Sequence, residues 1–263
     1  MKRITGAFIR ALIVVLIIIL PAYILPETGK TTQELALIIG VIVGAFTMFE
    51  YGGKTPGFVD FRFAPPYNRF RIAIIAAQVI ALSLVCRATT QSIPEILEFA
   101  NTAVGYASFP YSPVEMAVAQ TALLPLTTTP ELMVQLFSVS FVIATGLAIG
   151  LSAVLWIFGW PTERSEFNLW VNLPTFSPSS VSQAEKRMKR DASINIILGI
   201  GLLYAIPYGF SFVVDIFGTG LFEDYHSLVW VVALWAFLPA LLVTRGISIT
   251  KVSRILGNAL KRA

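Results

Sequence analysis

Apolar residues in this chain collect into six long runs, at 8–25, 31–49, 69–87, 132–158, 193–217 and 225–244. A helix that crosses a bilayer needs about 20 predominantly apolar residues. Each run therefore predicts a transmembrane helix, and together they predict one all-α membrane domain covering 1–263. The third run is the weakest, because its uncharged core at 72–85 is short. Arg71 and Arg87 flank that core, where they can carry their charges to the two interfaces. The fourth run is long enough to tilt. Lys2, Arg3 and Arg10 lead into the first run as they would in a signal peptide. No small-x-small cleavage site follows it before Pro26, so an uncleaved first helix is expected.

The connectors are unusual. The longest, 88–131, contains Pro94-Glu95 and Ser112-Pro113-Val114-Glu115, each followed by apolar residues. Proline in the first turn behind a capping residue signals a helix start. Both helices are too short to span, and they are expected to lie as amphipathic helices on the outer surface or over the bundle. A re-entrant hairpin is the alternative. Residues 51–70 are dense in Gly, Pro and rings, with Phe58, Phe61, Phe63 and Tyr67 interleaved with Lys54, Arg62 and Arg69. Aromatic residues and Arg anchor protein interfaces. Phe58, Phe61, Arg62, Phe63 and Tyr67 are therefore the expected partner-docking residues, against the alternative of an interfacial aromatic belt. Within 160–192, Ser182-Gln183-Ala184-Glu185 has the form of a capping box. It predicts a helix that begins near Gln183 and runs into the fifth span. Its basic cluster, Lys186, Arg187, Lys189 and Arg190, is placed to meet anionic lipid headgroups.

Charge orients the bundle. With the N-terminus inside and the sides alternating, only Lys30 and Arg87 of the 19 basic residues fall outside. The other 17 fall on the cytoplasmic side, as the positive-inside rule requires. Both termini are expected in the cytoplasm, with a bacterial inner membrane as the expected home. The net charge of +4 is thereby explained without nucleic acid. Composition agrees with a lipid-covered protein. Hydrophobic residues make up 56% and charged residues 13%, where a soluble domain is about a quarter charged. One cysteine and one histidine exclude an internal disulfide and a four-ligand Cys/His zinc site. No cofactor is expected.

Candidate chemistry is sparse. Intramembrane ionisable groups usually mark a transport path, and here Asp215 and Gln78 are the main polar candidates, Asp215 at what is expected to be a water-exposed helix end. Small residues recur at four-residue spacing around Gly40 and Gly44, around Gly146 and Gly150, and through Gly201, Ala205 and Gly209. Such patterns let helices approach closely, within the bundle or at a dimer face. Pro207 interrupts the fifth span. Glu223, Asp224 and His226 form a short external cluster, expected to be a solvated turn rather than a cation site. Gly53-Lys54-Thr55 resembles the end of a phosphate-binding loop, but Met48 stands where that motif needs glycine. Ser152 and His226 fall at opposite sides of the membrane and make no dyad. No HExxH is present. The leading expectation is a non-catalytic accessory, scaffold or assembly subunit of a membrane complex, bound to other membrane subunits. A small transporter or channel component comes second and an interfacial lipid-modifying enzyme third.

Overall fold

The computed structural model describes residues 2–26, 28–53, 61, 65–160 and 181–262. Its long helices form because apolar runs in lipid must satisfy every backbone polar group internally. They are α1 (Lys2–Ile24), α2 (Lys30–Gly52), α3 (Pro65–Gln91), α6 (Pro130–Ile157), α7 (Val181–Ala205) and α10 (Tyr225–Arg262). Between them lie α4 (Pro94–Ala107), α5 (Pro113–Thr121), a 3-10 turn (Ile206–Gly209), α8 (Phe210–Phe217) and α9 (Gly220–Glu223). No strand occurs among the described residues. Six segments are long and apolar enough to cross a membrane: Arg3–Ile24, Lys30–Gly52, Pro66–Gln91, Pro130–Ile157, Gln183–Phe217 and Tyr225–Ile255.

Helices α3, α6 and α10 pack on one another and form the centre. Their shared core holds Leu82, Leu136, Phe137, Val232 and Trp235, all essentially inaccessible. Trp235 meets Phe137 edge-on at 4.9 Å, a favoured aromatic geometry. Helix α7 lies antiparallel on α10, and α1 and α2 form a hairpin that reaches the centre through α1 against α3. Much of α2 faces outward, with Phe46 and Phe49 more than two-thirds exposed. On a membrane protein such a face meets acyl chains.

The connector at 88–131 does not lie across the helix ends. Helix α4 runs beside α6 in the same direction: Gln135 donates to Asn101 Oδ1 (2.9 Å), and further along Phe109 packs on Phe141 (6.2 Å). Ala100, Ala103 and Ala107 form the buried stripe of α4, and their small size permits this close approach. The chain turns at 108–112, and Ser112 caps the return helix α5 by accepting from Val114 N–H (3.2 Å). The tip thus sits eleven residues into α6, a rise of about 16 Å. The two short helices that the sequence predicts are present, and they lie along α6 rather than across its end. Their apolar stripes are buried along α6, a placement that short length alone does not forbid.

Candidate functional site

Polar groups inside the bundle are few, and they join helices. Gln78 of α3 donates through Nε2 to the Ser140 carbonyl (3.1 Å) and to Ser140 Oγ (2.8 Å) on α6. Ser140 Oγ–H in turn donates to the Val232 carbonyl of α10 (3.0 Å). One chain of hydrogen bonds thus ties all three central helices. Gln78 and Ser140 are fully buried, and Gln78 Oε1 and Ser138 Oγ have no partner there. Among the described residues, no Asp, Glu, Lys, Arg or His is buried.

The fifth span is broken where Pro207 stands. Proline has no N–H, so the carbonyl four residues earlier, at Leu203, loses its helical donor. The Trp235 indole N–H donates to that carbonyl instead (3.0 Å). The break is therefore satisfied by a side chain of α10, one of the ways membrane proteins accommodate proline. Beside it, Tyr204 Oη–H donates to the Tyr111 carbonyl at the hairpin tip (3.2 Å), and α5 packs on the 3-10 turn. The hairpin tip and the broken span meet at one level of the bundle.

Asp215, the other expected intramembrane polar residue, is exposed near the end of α8 and is not brought to Gln78's partners. In the expected cluster at 223–226, Glu223 and Asp224 are both engaged in holding turns. Glu223 Oε1 accepts from Thr127 N–H and Oγ–H (both 3.1 Å), and its Oε2 accepts from Thr219 (2.8 Å). The Thr219 hydroxyl first, then the Thr127 amide, hold the Glu223 carboxyl below the usual range. Asp224 accepts from Ser227 N–H and Oγ–H (2.9 Å each) and so caps α10. Among the described residues, no three His, Cys, Asp or Glu side chains gather where they could hold a metal ion.

Two of the expected docking residues are spent inside the chain. Phe61 is inaccessible and Tyr67 is 3% exposed. Their rings pack at 4.8 Å, with Trp160 at 6.1 Å from Phe61, over Leu155, Met188 and Val252. Phe61 holds a left-handed backbone (φ 55°), uncommon without glycine, and Asn68 donates to its carbonyl (2.6 Å). Against the expectation that these two rings face a partner, the chain itself buries both of them against the C-terminal ends of α6 and α10 and the N-terminal part of α7. Phe58, Arg62 and Phe63 lie outside the described residues. Lys186, Arg187, Lys189 and Arg190 all lie exposed on α7, opposite its buried Ala184 and Met188. Lys189 pairs with Glu185 (2.6 Å).

The small residues divide. A Cβ on Gly44 would lie 2.6 Å from Val15 Cγ2, and one on Gly40 would lie 3.3 Å from Ile19 Cγ2, so both sit in the α1–α2 seam. A Cβ on Gly150 would lie 3.2 Å from the Phe70 ring. Gly146, Gly201 and Gly209 meet nothing within 4 Å, and Ala205 is exposed; on α7 it is the Gly199 face that turns to α10 instead. Gly199 and Gly246 were not singled out, yet they make the tightest crossing. A Cβ on Gly199 would lie 2.8 Å from the Pro239 carbonyl oxygen, and one on Gly246 would lie 2.7 Å from that of Ala192. Gly199 has no small residue four positions away and Gly246 has only Thr250, so the spacing rule gives them little weight. Their signal is reciprocal, one glycine on each of two helices.

No protein-family model matches this chain, and neither the curated proteins nor the solved structures include a match.

Proposed function

We propose that this chain is a non-catalytic subunit that works inside a larger membrane assembly, with both termini in the cytoplasm of a bacterial cell. The observation that carries this reading is the state of its interior. Among the described residues, the buried polar side chains include no Asp, Glu, Lys, Arg or His, and Gln78 and Ser140 are engaged in joining helices. Coupled transport and hydrolysis both need charge or a titratable group at the site. The outward small-residue face at Gly201 and Ala205 supports the reading, since such faces admit a second helix at close range. The exposed basic turn at Lys186–Arg190 suits anionic headgroups on the same side. The test is mild solubilisation followed by identification of co-purifying chains. A stoichiometric partner lost from Gly201→Leu, with the fold retained, is the expected result. A monomer across several lipid conditions would defeat the proposal.

A second reading, a small transporter or channel component, is favoured by one specific feature. Short hairpins that enter the bilayer and broken spans occur where they are buried in protein or line a water-filled cavity. Here α4–α5 runs beside α6 for about 16 Å, half of the roughly 30 Å hydrocarbon thickness, and meets the break at Pro207. Solute flux through the purified, reconstituted chain, abolished by Gln78→Leu without unfolding, would favour this reading over the first.

A further inference from the structure

Helices α6 and α7 both pack on α10 rather than on each other, and the gap between them is a groove. Its upper part has a volume of about 320 Å³. Ala236, Pro239, Ala240 and Val243 of α10 form the floor, with Ala148 and Ile149 on one wall and Ile200 on the other. Ile247 continues it into a second cavity of about 190 Å³, whose rim carries Trp156, Lys251 and Arg254. The polar walls of the upper part are largely satisfied: Ser152 donates to Ala148 O (2.9 Å) and Tyr204 to Tyr111 O. The rim is different. Lys251 Nζ lies 4.8 Å and Arg254 Cζ 5.2 Å from the centre of the Trp156 ring. Among the described residues, neither cation has a carboxylate partner.

We propose that this groove binds one anionic phospholipid, an acyl chain lying between α6 and α7 and the phosphate held by Lys251 and Arg254. Length, charge and position agree. From Ala236 to Ile247 the floor rises about 16 Å, roughly the thickness of one leaflet's hydrocarbon. From Ile247 to Arg254 is about 10 Å more, which brings the cations to headgroup level. Lys251 and Arg254 are three residues apart on one helix face, where their charges add. Trp156, 61% exposed, stands where indoles settle at the membrane interface. Basic pockets between spans on the cytoplasmic side are suited to anionic headgroups. The site is separate from the Lys186–Arg190 turn. It requires only that the chain sits in a bilayer, and nanodiscs offer both leaflets, so its outcome does not depend on orientation or on the assembly reading.

The test uses the full chain in phosphatidylcholine nanodiscs containing chain-brominated phosphatidylglycerol or, for comparison, chain-brominated phosphatidylcholine. The difference between wild type and Trp156→Phe isolates quenching of Trp156. Quenching by the phosphatidylglycerol is expected at about thirtyfold lower mole fraction, as two basic side chains near anionic lipid would give. Lys251→Gln with Arg254→Gln should abolish the difference with helical content unchanged, and Lys251→Arg with Arg254→Lys should keep it. Equal quenching by the two lipids would overturn the proposal, as would selectivity that survives the double glutamine change. An Ile149→Cys variant that cross-links to a second copy, without lipid selectivity, would give the groove to another helix and overturn it too.

Discussion

The α3–α6–α10 centre and the α7–α10 seam solve the same problem by opposite means. Lipid tails are as apolar as leucine, so hydrophobicity does not hold helices together inside a bilayer. The centre interlocks large side chains and adds one buried chain of hydrogen bonds, from Gln78 through Ser140 to Val232. Half of the most apolar window of α6 and of α10 is buried, against 17% for the span at Gln183–Phe217. Helix α7 therefore has little side-chain surface to offer. It attaches by bringing backbone to backbone at Gly199 and Gly246, with Trp235 N–H on Leu203 O at one end and Arg245 on Asn195 Oδ1 (2.9 Å) at the other. A peripheral helix held this way has no room for a side chain at its two glycines.

The largest effect is accordingly expected from Gly199→Leu or Gly246→Leu. The new side chain would start less than 3 Å from main-chain oxygen of the facing helix, and backbone cannot rotate away as a side chain can. A loss of about 3 kcal/mol, the upper end for overpacking, is expected in denaturant titration of the purified protein. Gly201→Leu on the same helix meets open space and should leave that stability unchanged. Equal losses from the two substitutions would mean that the seam is not held by backbone proximity.

Trp235→Phe comes next. It keeps a ring against Phe137 but withdraws the donor from Leu203 O, which Pro207 has already orphaned. About 1 to 2 kcal/mol is expected, the cost of an unsatisfied buried carbonyl. Pro207→Ala should soften that loss in the double variant, because alanine restores the helical N–H. Independent, additive losses would refute the substitution of one donor for the other.

Much of this was legible beforehand, and the misses share a cause. Six spans follow from six apolar runs, since length and hydropathy are local properties. The helix starts at Pro94 and Pro113 follow from local cap chemistry, with Ser112 in place as the cap of α5. What failed depends on which face meets which neighbour. Phe61 and Tyr67 read as docking anchors because rings and Arg are interleaved there, yet α6, α7 and α10 converge over them. Gly199 and Gly246 were passed over because their partner lies on another helix, not four residues away. The hairpin's depth could not be read either: a helix too short to span fits equally well flat on a surface or tucked beside α6.

Gln78→Leu should do less than any change in the seam. It gives up two hydrogen bonds to Ser140, but it also removes Gln78 Oε1, a buried acceptor without a partner. Ser140 keeps its bond to Val232 O. Bonds of this kind in membranes average about 0.6 kcal/mol, so a net change below about 1 kcal/mol is expected, read from thermal unfolding in detergent. A larger loss would make the central tie, rather than side-chain interlock, the main restraint on the three helices.

The smallest effect is expected outside the membrane, at Glu223. Its carboxylate gathers Thr127 and Thr219 and so links the connector before α6 to the turn before α10. These hydrogen bonds favour the charged form and lower its pKa. The unfolded chain therefore binds a proton more readily than the folded one, so the contribution is present above the ordinary glutamate value of about 4.3. It fades as pH falls through the lower, folded value. The group is exposed, so solvent screens it and global stability should scarcely respond. Local opening should respond instead. Hydrogen exchange at the Thr127 amide, which donates to Glu223, should speed up as pH drops through the lowered, folded-state value, after correction for intrinsic rates. Glu223→Gln should remove that pH dependence while leaving exchange in the central helices untouched. A pH response that persists in the glutamine variant would assign it to another carboxylate and leave the clasp without a role.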